Sequence, residues 1–246
     1  MGRAPALLAV AWLAVLFVYY ETSTDLWHWG LWGDVAWIAC VLIPAVLLLV
    51  LILLPLYRLP PALLAGIGVG FLAIVVALHF TGFRVPENFA KLGAATFLGW
   101  FFLTFFESLS WVVLVAAIIP FVDSLSVWRG PTRDITHNHP HVFDVVSFAF
   151  PVPGEHAAAQ LGPPDLLFFA LFLAASALFG LRVRWTFVGM LVGLGLTIVA
   201  TTAVDTLGLP ALPGVAIGFL VPNADLIWRD LRRKPWLGER PDVPIG

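Results

Sequence analysis

Ser108-Leu109-Ser110-Trp111-Val112-Val113-Leu114-Val115-Ala116-Ala117-Ile118-Ile119-Pro120-Phe121-Val122-Asp123-Ser124-Leu125-Ser126-Val127-Trp128-Arg129 is apolar over nearly its whole length, yet it carries a carboxylate more than a turn inside its far end. Residues 108 to 128 are long enough to cross the roughly 30 Å hydrocarbon layer as a helix, with Arg129 marking the interface. An ionisable side chain in such a place is costly and points to function. The whole chain fits the same setting. Of its 246 residues 61% are hydrophobic and 11% charged, against about 25% charged residues in ordinary water-soluble domains. One soluble core of this size cannot hide that surplus. The balance of 13 basic and 15 acidic residues offers no field for phosphates, so nucleic-acid binding is excluded as well.

Charge gaps and Pro/Gly punctuation divide the chain into eight candidate spans: 5–20, 35–57, 60–81, 91–106, 108–128, 164–181, 184–204 and 210–228. The fold class expected is an all-α polytopic membrane protein. Glu107, within Phe106-Glu107-Ser108-Leu109-Ser110, reads as a tight polar turn between the fourth and fifth spans. Met1-Gly2-Arg3 and the apolar stretch to Tyr20 read as the first span, because no small-x-small cleavage site precedes Glu21. Arg3, Arg58, Arg182, Arg184, Arg229, Arg232, Arg233, Lys234 and Arg240 fall on one face, and Arg84, Lys91, Arg129 and Arg133 on the other. The positive-inside rule then puts both termini in the cytoplasm of a multi-pass cell-membrane protein, with the loop 129–161 outside. Residues 229–246 form a basic juxtamembrane tail. Cys40, the single cysteine, reads as a small apolar residue.

Four acids lie within or at the ends of spans. Asp205 and Asp225 stand near helix ends, where they can reach water or neighbouring arginines. Asp123 and Asp165 differ, because their helices are consecutive and antiparallel and both acids lie toward the shared outer ends. Two carboxylates that share a site hold one proton between them, so one can take a proton from water while the other polarises a carbonyl. Two separately solvated helix-end acids are the alternative at this point.

A third element, Gly208-Leu209-Pro210-Ala211-Leu212-Pro213-Gly214, carries a resemblance. Pro-Ala-Leu-Pro is similar to the signature of the presenilin and signal peptide peptidase family of intramembrane aspartyl proteases. The order of elements also resembles that family: an aspartate on one helix, Gly-x-Gly-Asp on the next, and Pro-Ala-Leu-Pro on the last. Asp123-Ser124-Leu125-Ser126-Val127 looks like the Asp-x-Ile-Ser-Val of archaeal presenilin-type members. The chain differs from the family at Val122, where the family has Tyr, and in Gly162-Pro163-Pro164-Asp165. It also has eight spans where nine are usual. The likeness covers roughly residues 95–228.

The resemblance implies N-terminal transmembrane helices over 1–90, a catalytic core over 91–228 and a cytoplasmic tail over 229–246. It implies an intramembrane aspartic endopeptidase with Asp123 and Asp165 as the catalytic pair, and with Gly162, Pro163, Pro164, Pro210, Ala211, Leu212 and Pro213 binding substrate. Substrates would be single-span membrane proteins or signal-peptide-like segments in contact with membrane lipids, and no cofactor or metal is called for. The Pro210–Pro213 segment is expected to leave backbone carbonyls beside the acids. Val142–Phe150, rich in β-formers, is expected either to pair with an extended substrate or to lie on the bilayer. His137, His139 and His141 read as a solvated loop in preference to a Zn²⁺ site. Gly66 with Gly70, and Gly189 with Gly193, read as helix-packing pairs. Two other classes stay open: an inactive relative that escorts membrane segments, and a proton-coupled transporter using the same acids.

Overall fold

A computed structural model describes residues 3–129, 145–204 and 209–233. The protein is mostly helical, and five helical segments of it are long and apolar enough to cross a membrane: Ala6–Asp25, Leu31–Arg58, Pro61–Thr81, Leu109–Val127 and Val183–Val204. Helix α1 covers Arg3–Thr22. The next segment joins α2 (Leu31–Trp37), a π-helical turn (Ile38–Leu42), α3 (Ile43–Leu53) and a 3₁₀ turn (Leu54–Arg58). Its irregularity has local causes. Pro44 cannot donate to the carbonyl four residues back and its ring crowds that carbonyl, so the helix widens just before it; Pro55 tightens the far end.

Helix α4 (Pro61–Thr81) opens on prolines and stops at Gly82, whose φ of 78° few other residues tolerate. It forms an antiparallel hairpin with α5 (Arg84–Leu103), and α6 (Leu109–Arg129) follows a short turn that contains Glu107. The chain then enters a β-hairpin, β1 (Phe148–Pro151) antiparallel to β2 (Ala158–Leu161), with Phe148 opposite Leu161. Helices α7 (Pro163–Leu178), α8 (Val183–Val204), α9 (Leu212–Leu220) and α10 (Ala224–Arg233) follow among the described residues.

All eight segments expected to span are helical, but three do not have the length and apolarity of a simple span. Helix α5 begins with Arg84, Glu87 and Lys91; α7 has 16 residues; and the last segment is split at Pro222 by a 3₁₀ turn into apolar α9 and charged α10. The small hairpin is an addition to an otherwise helical fold. Only Phe148–Phe150 of the β-forming stretch is strand among the described residues, and it pairs within the chain.

Helix α7 is the centre of the bundle. Phe169 to Ala175 are fully buried, between α5 on one side and α8 and α9 on the others. Glycines set these distances. A Cβ on Gly99 would stand 2.5 Å from the Leu167 carbonyl of α7. Gly189 and Gly193 of α8 lie directly on Gly218 and Gly214 of α9, backbone against backbone, as the expected packing role requires. Gly66 and Gly70 meet nothing within 4 Å; Gly68, between them, is the one that packs, against Leu98.

At one end of α7 a buried polar network ties the helices together. Ser176 Oγ donates to the Phe172 carbonyl and lies 3.1 Å from Thr186 Oγ1, which accepts from Asn223 Nδ2 at 2.7 Å; Asn223 Oδ1 accepts from the Arg182 amide. Arg182 completes it with a two-pronged pair to Asp225, 2.6 and 2.9 Å. Asp225 therefore meets an arginine, as expected of a helix-end acid, and that guanidinium holds its carboxyl below the usual carboxylate range. The β-hairpin and the start of α7 stand at the other end.

Candidate functional site

Asp165 is presented by a helix start. Gly162 is the N-cap of α7, Pro163 and Pro164 occupy its first two positions, and Asp165 is the third. Proline suits that place, since the amides it lacks would have no partner within the helix. The Asp165 carboxylate turns back and accepts from the Gly162 amide at 3.0 Å, while the Asp165 amide donates to the Gly162 carbonyl. Gly-Pro-Pro-Asp thus forms a regular helix opening with a half-buried acid on its first turn.

Asp123 reaches the same place from α6, three residues after Pro120. It accepts from the Leu212 amide at 3.1 Å, and the Ala211 amide also faces it. Leu212 is the first residue of α9, so its amide is one of the donors a helix N-terminus leaves unpaired. A carboxylate from another helix caps it, and the positive end of the helix dipole favours that charge. Asp123 and Asp165 lie within Coulombic reach of each other. Three elements far apart in sequence, α6, α7 and the Pro210–Pro213 segment, are brought to one end of the bundle.

That segment is helical from its third residue. Helix α9 begins inside the motif, at Leu212, with Pro213 in its first turn, and the Ala211 carbonyl accepts from the Val215 amide. Proline is tolerated there for the same reason as in α7. The segment turns donor amides toward Asp123. Ala211 and Leu212 are buried, and Pro210 and Pro213 are partly exposed.

The hairpin leads into this site and is held from outside by side chains. Asn88 of α5 grips Ala149 from both sides, donating to its carbonyl and accepting from its amide, each at 2.8 Å. One side chain thereby takes the place of a third strand beside β1. Tyr20 Oη donates to the same carbonyl at 3.0 Å, and Lys91, paired with buried Glu87 at 3.1 Å, donates to the Ser147 carbonyl. Phe148 and Phe150 are fully buried and Phe148 packs on Tyr20 and Phe89.

Asp205, Asp134 and the histidines 137, 139 and 141 lie outside the described residues. Three groups not singled out in the sequence, His28, Asp34 and Glu155, come together at the hairpin turn. No protein-family model, curated protein or solved structure matches the chain.

Proposed function

We propose that the chain is an intramembrane aspartic endopeptidase with eight membrane-crossing segments, in which Asp123 and Asp165 hydrolyse peptide bonds of transmembrane segments. The observation that carries this reading is that two carboxylates, from α6 and α7, come within Coulombic reach of each other at the end of the bundle where Asp123 caps the N-terminus of α9. A lone intramembrane acid has many uses; two that share a proton at the end of a bundle are suited to activate water and protonate a leaving amine. The acid and base roles belong to the pair and not to one member.

In this reading residues 1–90 supply N-terminal helices, 91–228 the catalytic core and 229–246 a cytoplasmic tail, with both termini on the cytoplasmic side of the cell membrane. A transmembrane substrate hides its own amides and must unwind before cleavage. Gly162–Pro164 and Pro210–Pro213 flank the acids and would contact the extended stretch. Substrates are single-span or signal-peptide-like proteins. The protein reconstituted with a tagged single-span substrate is expected to cleave it, and Asp123→Asn or Asp165→Asn to lower the rate at least about a hundredfold, the lower end of general acid–base effects. Cleavage by either variant at the wild-type rate would sink the proposal.

A second reading is an inactive relative that binds membrane segments without hydrolysis. It is favoured by the hydrogen bond from Leu212, which gives Asp123 a structural occupation as a helix cap.

A further inference from the structure

The geometry points to a divalent transition-metal site, of the kind that takes Zn²⁺, formed by His28, Asp34 and Glu155 where the loop after α1 meets the hairpin turn. His28 Nδ1 stands 2.8 Å from Asp34 Oδ2 and 3.3 Å from Glu155 Oε1, and the three donor atoms all lie within 4.8 Å of one another. Two ligands bound at about 2.0–2.2 Å to one Zn²⁺ are roughly 3–3.5 Å apart at ordinary coordination angles. Imidazole with two carboxylates is a donor set for such a cation, and it leaves positions for water.

Asp34 is the decisive group. Its side chain is 5% exposed and its Oδ1 accepts from the Trp29 amide at 3.3 Å. Its Oδ2 is buried and makes no hydrogen bond, although the imidazole nitrogen is only 2.8 Å away. A buried oxygen without a hydrogen bond keeps its lone pairs for a cation that the imidazole nitrogen beside it would also bind. Among the described residues, His28 is also the only basic group paired with either carboxylate, so a cation would compensate two negative charges in a half-buried place.

The three residues are set independently. Asp34 sits in the first turn of α2. Glu155 follows Gly154, whose φ of 72° and close approach to the Leu26 carbonyl and His28 amide only glycine allows. The Gly154 amide donates to the Ser23 carbonyl at 2.8 Å, which holds the turn against the loop. A cavity of about 380 Å³ opens beside the cluster and is lined by all three side chains, leaving room for coordinated water.

The test uses the full chain in detergent micelles, stripped with a chelator and titrated with Zn²⁺. Wild type is expected to retain one equivalent, and His28→Gln and Glu155→Gln, both at half-exposed positions, to bind at least about tenfold more weakly. A variant with His137, His139 and His141 all changed to Ala is expected to keep wild-type affinity. No micromolar Zn²⁺ binding by wild type, retained affinity in His28→Gln, or loss in the triple variant overturns the assignment. In wild type alone, Zn²⁺ should slow amide exchange over residues 26–34 and 152–157, and unchanged exchange there counts equally against the site.

Discussion

Asp123 has two possible duties, and single substitutions separate them. Asparagine at 123 keeps an oxygen that can accept from the Leu212 amide but carries no charge. Leucine has neither. Asp123→Leu is therefore expected to lose about 1 kcal/mol of stability through the lost cap, and Asp123→Asn much less, in denaturant titrations of the micellar protein. Abolished cleavage in Asp123→Asn at unchanged stability would place the function in the charge. At the opposite end, Asp225 carries a carboxyl lowered by Arg182. A carboxyl lowered by folding stabilises the fold above the ordinary carboxylate range and loses that contribution as pH falls through it. Asp225→Asn is expected to flatten this part of the acid stability profile, and a profile identical to wild type would refute the link. Asn88 is the third such residue. Its replacement by Ala takes the acceptor from the Ala149 amide and leaves the Ala149 carbonyl to Tyr20 alone, with an expected cost of about 1–3 kcal/mol for a buried polar group left unpaired, and should speed exchange of the Ala149 amide.

At the level of elements, α8 and α9 are locked by four glycines that allow backbone contact. Gly193→Val is expected to force them apart and destabilise the protein by about 1–3 kcal/mol, as overpacking does. Gly66→Ala, which meets nothing, should be neutral or stabilising by up to about 1 kcal/mol. Thermal unfolding of the two variants decides the matter. The sequence exposed the Gly189/Gly193 pair and misassigned Gly66/Gly70 for one reason: Gly-x-x-x-Gly spacing marks a smooth helix face but says nothing about what lies opposite it. Helix ends were legible for a better reason, since Pro60-Pro61, Gly82, Glu107 and Pro163-Pro164 are local signals with local consequences. The hairpin was harder to read. Its alternation, Phe148-Ala149-Phe150, is only three residues long, and it is fixed by Asn88 and Tyr20 from distant segments.

For the whole molecule, composition pointed to a bilayer and charge gaps located eight helical segments, but neither could say that the middle of α7, Phe169 to Ala175, would be wrapped on all sides. Its run of apolar residues reads like any span, and its burial depends on small residues elsewhere, such as Gly99. The meeting of Asp123, Asp165 and Leu212 was half legible. Helix order placed the two acids at one end, while the amide partner lay hidden in a motif whose prolines suggested spare carbonyls. The His28, Asp34 and Glu155 cluster left no trace at all, because all of α2 to α6 lies between His28 and Glu155 in the sequence and each member is unremarkable in its own segment.

The shortness of α7 has a consequence for where chemistry would take place. Its 16 residues rise only about 24 Å, while the hydrocarbon layer is roughly 30 Å thick. If Arg182 and Asp225 lie in one headgroup layer, as the proposed topology has it, the opening turn that bears Asp165 would stop several ångströms short of the other. Lipid around a lone helix of this length would have to thin, but the middle of α7, Phe169 to Ala175, is enclosed by protein. In the proposed protease the shortfall would set the acids below the level of the surrounding headgroups, so that the protein itself, and not the bilayer, would have to admit the water they use.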